Sequence, residues 1–226
     1  MPGREREGGR LFGVVSMLLA AGIAVLSGFS AASASDADEA FAPMAKVVSA
    51  EGTIVRFSSN RLNGGFINAW NVGARFSLLP FGVVHLPARL RPLDGAFEVG
   101  LEPTFERFNT QNQNFVGVLA EARYHFVNLG YGPFVPWIGG GIGPGYSDLN
   151  IGTVHDDSKL TGPFMAMIKG EIGVSCFIDS WRSVYAGLEA QHFSNSELNG
   201  RERTSTTNQS LNTPWGMVVG FSWFFR

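Results

Sequence analysis

The stretch Trp215-Gly216-Met217-Val218-Val219-Gly220-Phe221-Ser222-Trp223-Phe224-Phe225-Arg226 alternates. In an extended chain Met217, Val219, Phe221, Trp223 and Phe225 share one side, and Gly216, Val218, Gly220, Ser222 and Phe224 share the other. Successive strand residues point to opposite faces, so one face is bulky and apolar and the other is smaller and partly polar. A soluble sandwich would bury the bulky face against a second sheet. A strand crossing a bilayer turns that face to lipid and places aromatics at the interface, which matches the aromatic ending here.

Working back from this strand, alternating or β-rich segments bounded by Gly, Pro, Asn or Asp occur near residues 182–194, 162–177, 133–146, 114–127, 94–107, 69–81 and 48–57. With the last strand they make about eight. An even number lets an antiparallel barrel close with both termini on one side, and closure removes the unpaired edges that lipid does not tolerate. The expected fold is therefore all-β, a closed antiparallel transmembrane barrel. With the termini in the periplasm, the connections near 58–68, 108–113, 147–161 and 195–213 face outside, and the last two are long. Ile178-Asp179-Ser180-Trp181 is short, as a periplasmic turn should be. The linker 82–93, with Pro87 and Pro92, is longer than this scheme requires.

Composition agrees with the barrel. The chain carries 29 Gly and 19 Phe beside only 16% charged residues. Beyond the N-terminal region no apolar run reaches the length of a spanning helix. Residues 1–34 read as a secretory signal peptide, with Arg4, Arg6 and Arg10 before the uncharged run Leu11–Phe29 and Ala32-Ser33-Ala34 as the cleavage motif. The run is long enough for a retained anchor, but its Gly and Ser content and the motif at Ala34 favour cleavage, leaving residues 35–226 as one outer-membrane barrel domain. The leader has three Arg and two Glu, so its removal moves the formal net charge from −2 to −3, and no basic excess points to nucleic acid. The single cysteine, Cys176, permits no internal disulfide. Gly139–Gly145 lacks the Lys-Ser/Thr of a phosphate loop and is read as small inward residues making room for large neighbours.

One segment carries chemistry. In Val184–Ser194 the even positions are the apolar set, which turns Glu189 and Gln191 to the lumen and leaves His192 and Ser194 on the lipid side. A polar pair on that face costs free energy and marks function. The strand runs outward, so the pair sits near the outer leaflet. Residues i and i+2 lie about 6.5–7 Å apart at Cα, within reach for an imidazole to take a hydroxyl proton, the pairing used in acyl transfer.

His192-Phe193-Ser194-Asn195, on the penultimate strand of a small barrel, resembles the lipid A 3-O-deacylase (PagL-like) family of outer-membrane acyloxyacyl hydrolases. Leu101-Glu102-Pro103 and the stretch from Pro136-Trp137 to Gly145-Tyr146 extend the likeness in layout across most of the mature chain. The resemblance implies His192 as base, Ser194 as nucleophile and Asn195 as oxyanion donor, with a carboxylate at the start of the last strand completing the triad. Here that position is Asn212, when Asn208-Gln209-Ser210-Leu211-Asn212 is set on the family's Asn-x-Gly-x-Glu stretch. Asn orients an imidazole but does not balance its charge, and Glu197 or Glu202 in the preceding connection are the alternative partners. The small residue and Gly that follow Asn195's counterpart in the family are Ser196 and Glu197 here.

The expected localisation is the bacterial outer membrane, and the implied partner is lipid A, or lipopolysaccharide, in the outer leaflet. His85, His125 and His155 stand apart, and no ligand spacing calls for a metal or cofactor. Two alternatives remain: a non-enzymatic structural or adhesive barrel working through loops 147–161 and 195–213, and another lipid-modifying barrel such as an acyltransferase. A narrow barrel filled by side chains makes a diffusion pore the least favoured class.

Overall fold

A computed structural model describes residues 39–58, 66–109, 113–148, 164–194 and 210–226. Eight long strands form the wall: β1 (Ala45–Ser58), β2 (Phe66–Leu79), β4 (Gly95–Phe108), β5 (Gln113–His125), β6 (Phe134–Ser147), β7 (Phe164–Asp179), β8 (Arg182–Ser194) and β9 (Ser210–Phe225). The two-residue β3 (Val83–Val84) adds only to the start of β4. Each long strand pairs antiparallel with its neighbours, and the β1–β9 and β2–β4 pairings complete the ring. Both described chain ends lie at the same end of the barrel. Short turns at that end, such as the reversal from Asp179 to Arg182, assign it to the periplasm. The expected signal segment and its cleavage site lie outside the described residues.

Alternation sets what each face does. Side chains such as Val72, Leu101, Val118, Ile142, Ile172 and Met217 are turned outward and exposed. Trp70, Tyr146, Phe164 and Trp215 ring the extracellular side of this band, and Trp181, Trp223 and Phe225 the periplasmic side. Such an apolar belt would be an aggregation surface in water, and in a bilayer it is the solvated face. No helix among the described residues is long and apolar enough to cross a membrane.

The lumen is filled in three layers. At the periplasmic end Phe41 folds in from the N-terminal segment and packs on Phe177 and Phe224. At the extracellular end Phe57, Phe108, Phe115 and Phe193 close the bore with Met165 and Met167. Between them lies a charged layer with seven buried glutamates and the cations Arg75, Arg123 and Lys169. Lys169 Nζ lies 2.9 Å from Glu51, 2.8 Å from Glu102, 2.6 Å from Glu121 and 3.0 Å from Glu171. Arg75 bridges Glu51, Glu98 and Glu121 at 3.1–3.3 Å. Among the described residues the charged layer thus lies between two apolar clusters.

The glycine run on β6 makes room for these groups. Gly139 and Gly141 pair with Arg123 and Glu121 of β5, and a Cβ on Gly141 would fall 2.9 Å from Glu121 Cγ. The long linker after β2 has a structural reason too. Asp94 accepts from the Leu86 amide at 2.8 Å, contacts the His85 ring at 3.1 Å and accepts from Asn128 at 3.2 Å, tying the linker to the turn after β5. The Leu86 hydrogen bond, aided by His85, holds the Asp94 carboxyl below its usual range.

Candidate functional site

The outward end of β8 carries His192 and Ser194, both part-exposed, with buried Phe193 between them. Phe193 fixes this segment from inside: its ring lies 5.0 Å from Phe115 and 5.6 Å from both Phe57 and Phe108, in edge-on geometries. The strand is thus clamped through its lumen residue while the polar pair faces the bilayer side. On β7, Ile168 and Ala166 are the register partners of His192 and Ser194.

On the other side β9 is irregular. Glu189 pairs with Gly216 but Gln191 pairs with Thr213, and Val55 of β1 pairs with Gly216 while Ser58 pairs with Asn212. One extra residue therefore sits in β9 between Thr213 and Gly216. Pro214 lies there, and a proline, having no amide hydrogen to give the ladder, fits a strand interior only at such a bulge. Thr213 Oγ1 donates to the Arg56 carbonyl at 2.8 Å, pinning the bulge to β1.

The extra residue shifts the alternation. Towards the periplasm the lumen residues of β9 are even, Gly216, Val218, Ser222 and Phe224, whereas beyond the bulge the lumen residue is Thr213. Asn212 thereby falls in the row of its two register partners, His192 and Ser58. Of the residues singled out from sequence, His192, Ser194 and Asn212 are brought to adjacent strands at one height. Asn195, Glu197 and Glu202 lie outside the described residues.

Sequence reasoning missed the lumen assembly, apart from turning Glu189 and Gln191 inward. Glu51, Glu171 and Glu189 converge from β1, β7 and β8, each offering a carboxylate oxygen within 4.8 Å of the others. The Lys169 ammonium already contacts Glu51 and Glu171, while Glu189 accepts from Thr53 at 3.2 Å and from Gln191. His125 also belongs to this interior, 2.8 Å from Glu98. The available signal was glutamate recurring at the lumen positions of β1, β4, β5, β7 and β8.

A closed ring of strands, apolar outside and charged within, suits lipid rather than water. The chain is an outer-membrane β-barrel. No family model matches it, and no curated protein does. Among solved structures it is similar to the outer membrane enzyme PagL, with 16% identity, a TM-score of 0.49 and coverage of 77% of this chain and 97% of that one. It is also similar to Neisserial surface protein A, with 15% identity, a TM-score of 0.48 and coverage of 79% and 97%. A further neighbour is Ail, the attachment invasion locus protein of Yersinia pestis, with 9% identity, a TM-score of 0.40 and coverage of 81% and 100%. A fold does not fix a function, which is argued below from residues.

Proposed function

We propose that this barrel is a serine esterase of the outer leaflet that removes an ester-linked acyl chain from lipid A. The observation that carries the reading is the β9 bulge, which sets Asn212 in register with His192 on the row beside Ser194. In this reading His192 takes the Ser194 proton as the hydroxyl attacks the acyl carbonyl, then returns a proton to the leaving alcohol. Water, activated by the same imidazole, next releases the fatty acid and restores Ser194. Asn212 orients His192, with Glu197 or Glu202 as alternative partners, and Asn195 stabilises the oxyanion. A lipid substrate accounts for a catalytic pair set on the bilayer side, where a soluble ester would gain nothing from that position.

Mass spectrometry of lipid A from cells making the intact protein or Ser194→Ala tests this. The expected result is loss of one hydroxyacyl mass with the intact protein alone. Unchanged lipid A with both barrels assembled would instead favour a structural or adhesive barrel, a reading supported by Asn212 standing where a carboxylate is wanted.

A further inference from the structure

The charged layer in the lumen does not balance. Seven buried glutamates face three permanent cations, Arg75, Arg123 and Lys169. Contacts divide the seven unevenly. Glu51, Glu98, Glu102, Glu121 and Glu171 each touch at least one of these cations. Glu106 and Glu189 form no ion pair among the described residues, although they are only 0% and 2% exposed. A carboxylate taken out of water without a partner is strongly unfavourable, so a further positive charge belongs at this point.

Register brings the two groups together. Glu106 precedes Phe108 by two residues on β4, and Gln191 precedes Phe193 by two on β8, so each sits one lumen position below the aromatic cluster. The Phe108 and Phe193 rings meet across the bore at 5.6 Å. The row beneath them therefore sets Glu106 towards Gln191, whose Nε2 donates to Glu189 Oε1. From β2, Asn71 Nδ2 donates to Thr104 Oγ1 at 2.7 Å and, more weakly, to Glu106 Oε2 at 3.5 Å. From β1, Thr53 Oγ1 donates to Glu189 Oε2 at 3.2 Å.

Two oxygens are left over. Glu106 Oε1 and Gln191 Oε1 are buried and accept no hydrogen bond among the described residues, and Gln191 is 3% exposed. A buried amide oxygen and a carboxylate oxygen without donors, beside a second carboxylate without a cation, call for an ion. The neighbouring triad of Glu51, Glu171 and Glu189 is a different case, because the Lys169 ammonium already contacts two of its members.

We infer that Glu106, Glu189 and Gln191 form a binding site for one divalent cation of the calcium type. The donors are all oxygens, two anionic and one an amide carbonyl, a set that selects a hard ion over zinc or copper. Two carboxylates match a charge of two. Calcium accepts irregular oxygen cages, whereas magnesium holds to a strict octahedron and keeps several waters. Phe57, Phe108, Phe115 and Phe193 roof the site with rings that offer a hydrated ion nothing to bind. The ion would tie β4 to β8 directly below Phe193. The site stands apart from the esterase reading, since it uses none of its residues.

Equilibrium dialysis against calcium tests this, with the full chain treated with chelator and refolded in neutral-detergent micelles. Binding of one ion per chain is expected, half-saturated at about 10⁻⁴–10⁻³ M, the range of extracellular calcium modules. Glu106→Gln and Glu189→Gln should each weaken it about tenfold or more, while Asp179→Asn, at an acidic residue of the periplasmic turn, should leave it unchanged. Each glutamine variant removes an unpaired buried charge, so both fold, as gel mobility before and after heating will register. Calcium should also raise the unfolding midpoint of the unaltered protein and not that of the double glutamine variant. No bound calcium, or equal binding by the double variant, overturns the proposal. In the first case a barrel that grows more stable on acidification would show that protons, and not a metal, neutralise the pair.

Discussion

The charged layer in the lumen and the polar sector on the outer rim draw on similar residues under opposite conditions. Inside, Arg75, Arg123 and Lys169 are almost wholly buried, and each touches at least two carboxylates. Outside, Arg56 is exposed and His192 and Ser194 are part-exposed on a strand end. Buried charges answer only to one another, so removing one leaves its partners uncompensated in a poor dielectric. Rim charges are reached by solvent, so removing one costs little stability. The lumen pairs therefore govern whether the barrel holds together, while a change on the rim is expected to leave the fold in place.

The largest effect is expected of Lys169→Met, which strips the shared cation from Glu51, Glu102, Glu121 and Glu171. Unfolding by guanidinium in lipid vesicles should show a loss of about 3–5 kcal/mol, with activity per folded molecule unchanged. Activity lost from molecules that remain folded would show that the lumen acts on the rim directly. Phe193→Ala lies on the boundary between the two regions. Its removal from the Phe57, Phe108 and Phe115 cluster should cost about 3–4 kcal/mol in the same assay and also loosen the strand carrying His192 and Ser194, lowering kcat.

A change confined to the rim should do the reverse. Asn212→Glu supplies a charge to balance the imidazolium, and kcat for lipid A deacylation is expected to rise about tenfold or more, with the unfolding midpoint unmoved. A fall in kcat would assign the orienting role elsewhere. The smallest effect belongs to the periplasmic hub. Asp94 has a carboxyl held below its ordinary 3.8, so its contribution is present above that value and fades as pH falls through the folded value. The stability gap between the protein and Asp94→Asn should be open at pH 6 and narrow as the pH falls below 3.8, and a gap independent of pH would assign the hub to packing alone.

Much of this division was legible in the sequence because alternation is a local property. The reading of β8 as residues 182–194 coincides with the observed strand, and the remaining wall strands lie within a few residues of their expected places. The first five residues of β9 were not read as strand, since Pro214 looks like a boundary until the bulge that accommodates it is seen. The linker 82–93 stayed unexplained because its organiser, Asp94, reaches Asn128 across 34 residues. Pairings in the lumen were hidden for the same reason: Tyr185 meets Glu51 across 134 residues. Inward glutamates are visible along one strand, but which cation serves them is decided by the curvature of the closed sheet.

The bulge at Thr213 to Trp215 also bears on how this chain tolerates insertion and loss. Most of the wall absorbs substitutions one position at a time, but a single deletion here would act as a frameshift in space. Every residue of β9 beyond it towards the extracellular end would change sides, Asn212 passing from the row of His192 to the bore and Thr213 from the bore to the bilayer side. At this point of the wall the number of residues therefore matters more than their identity.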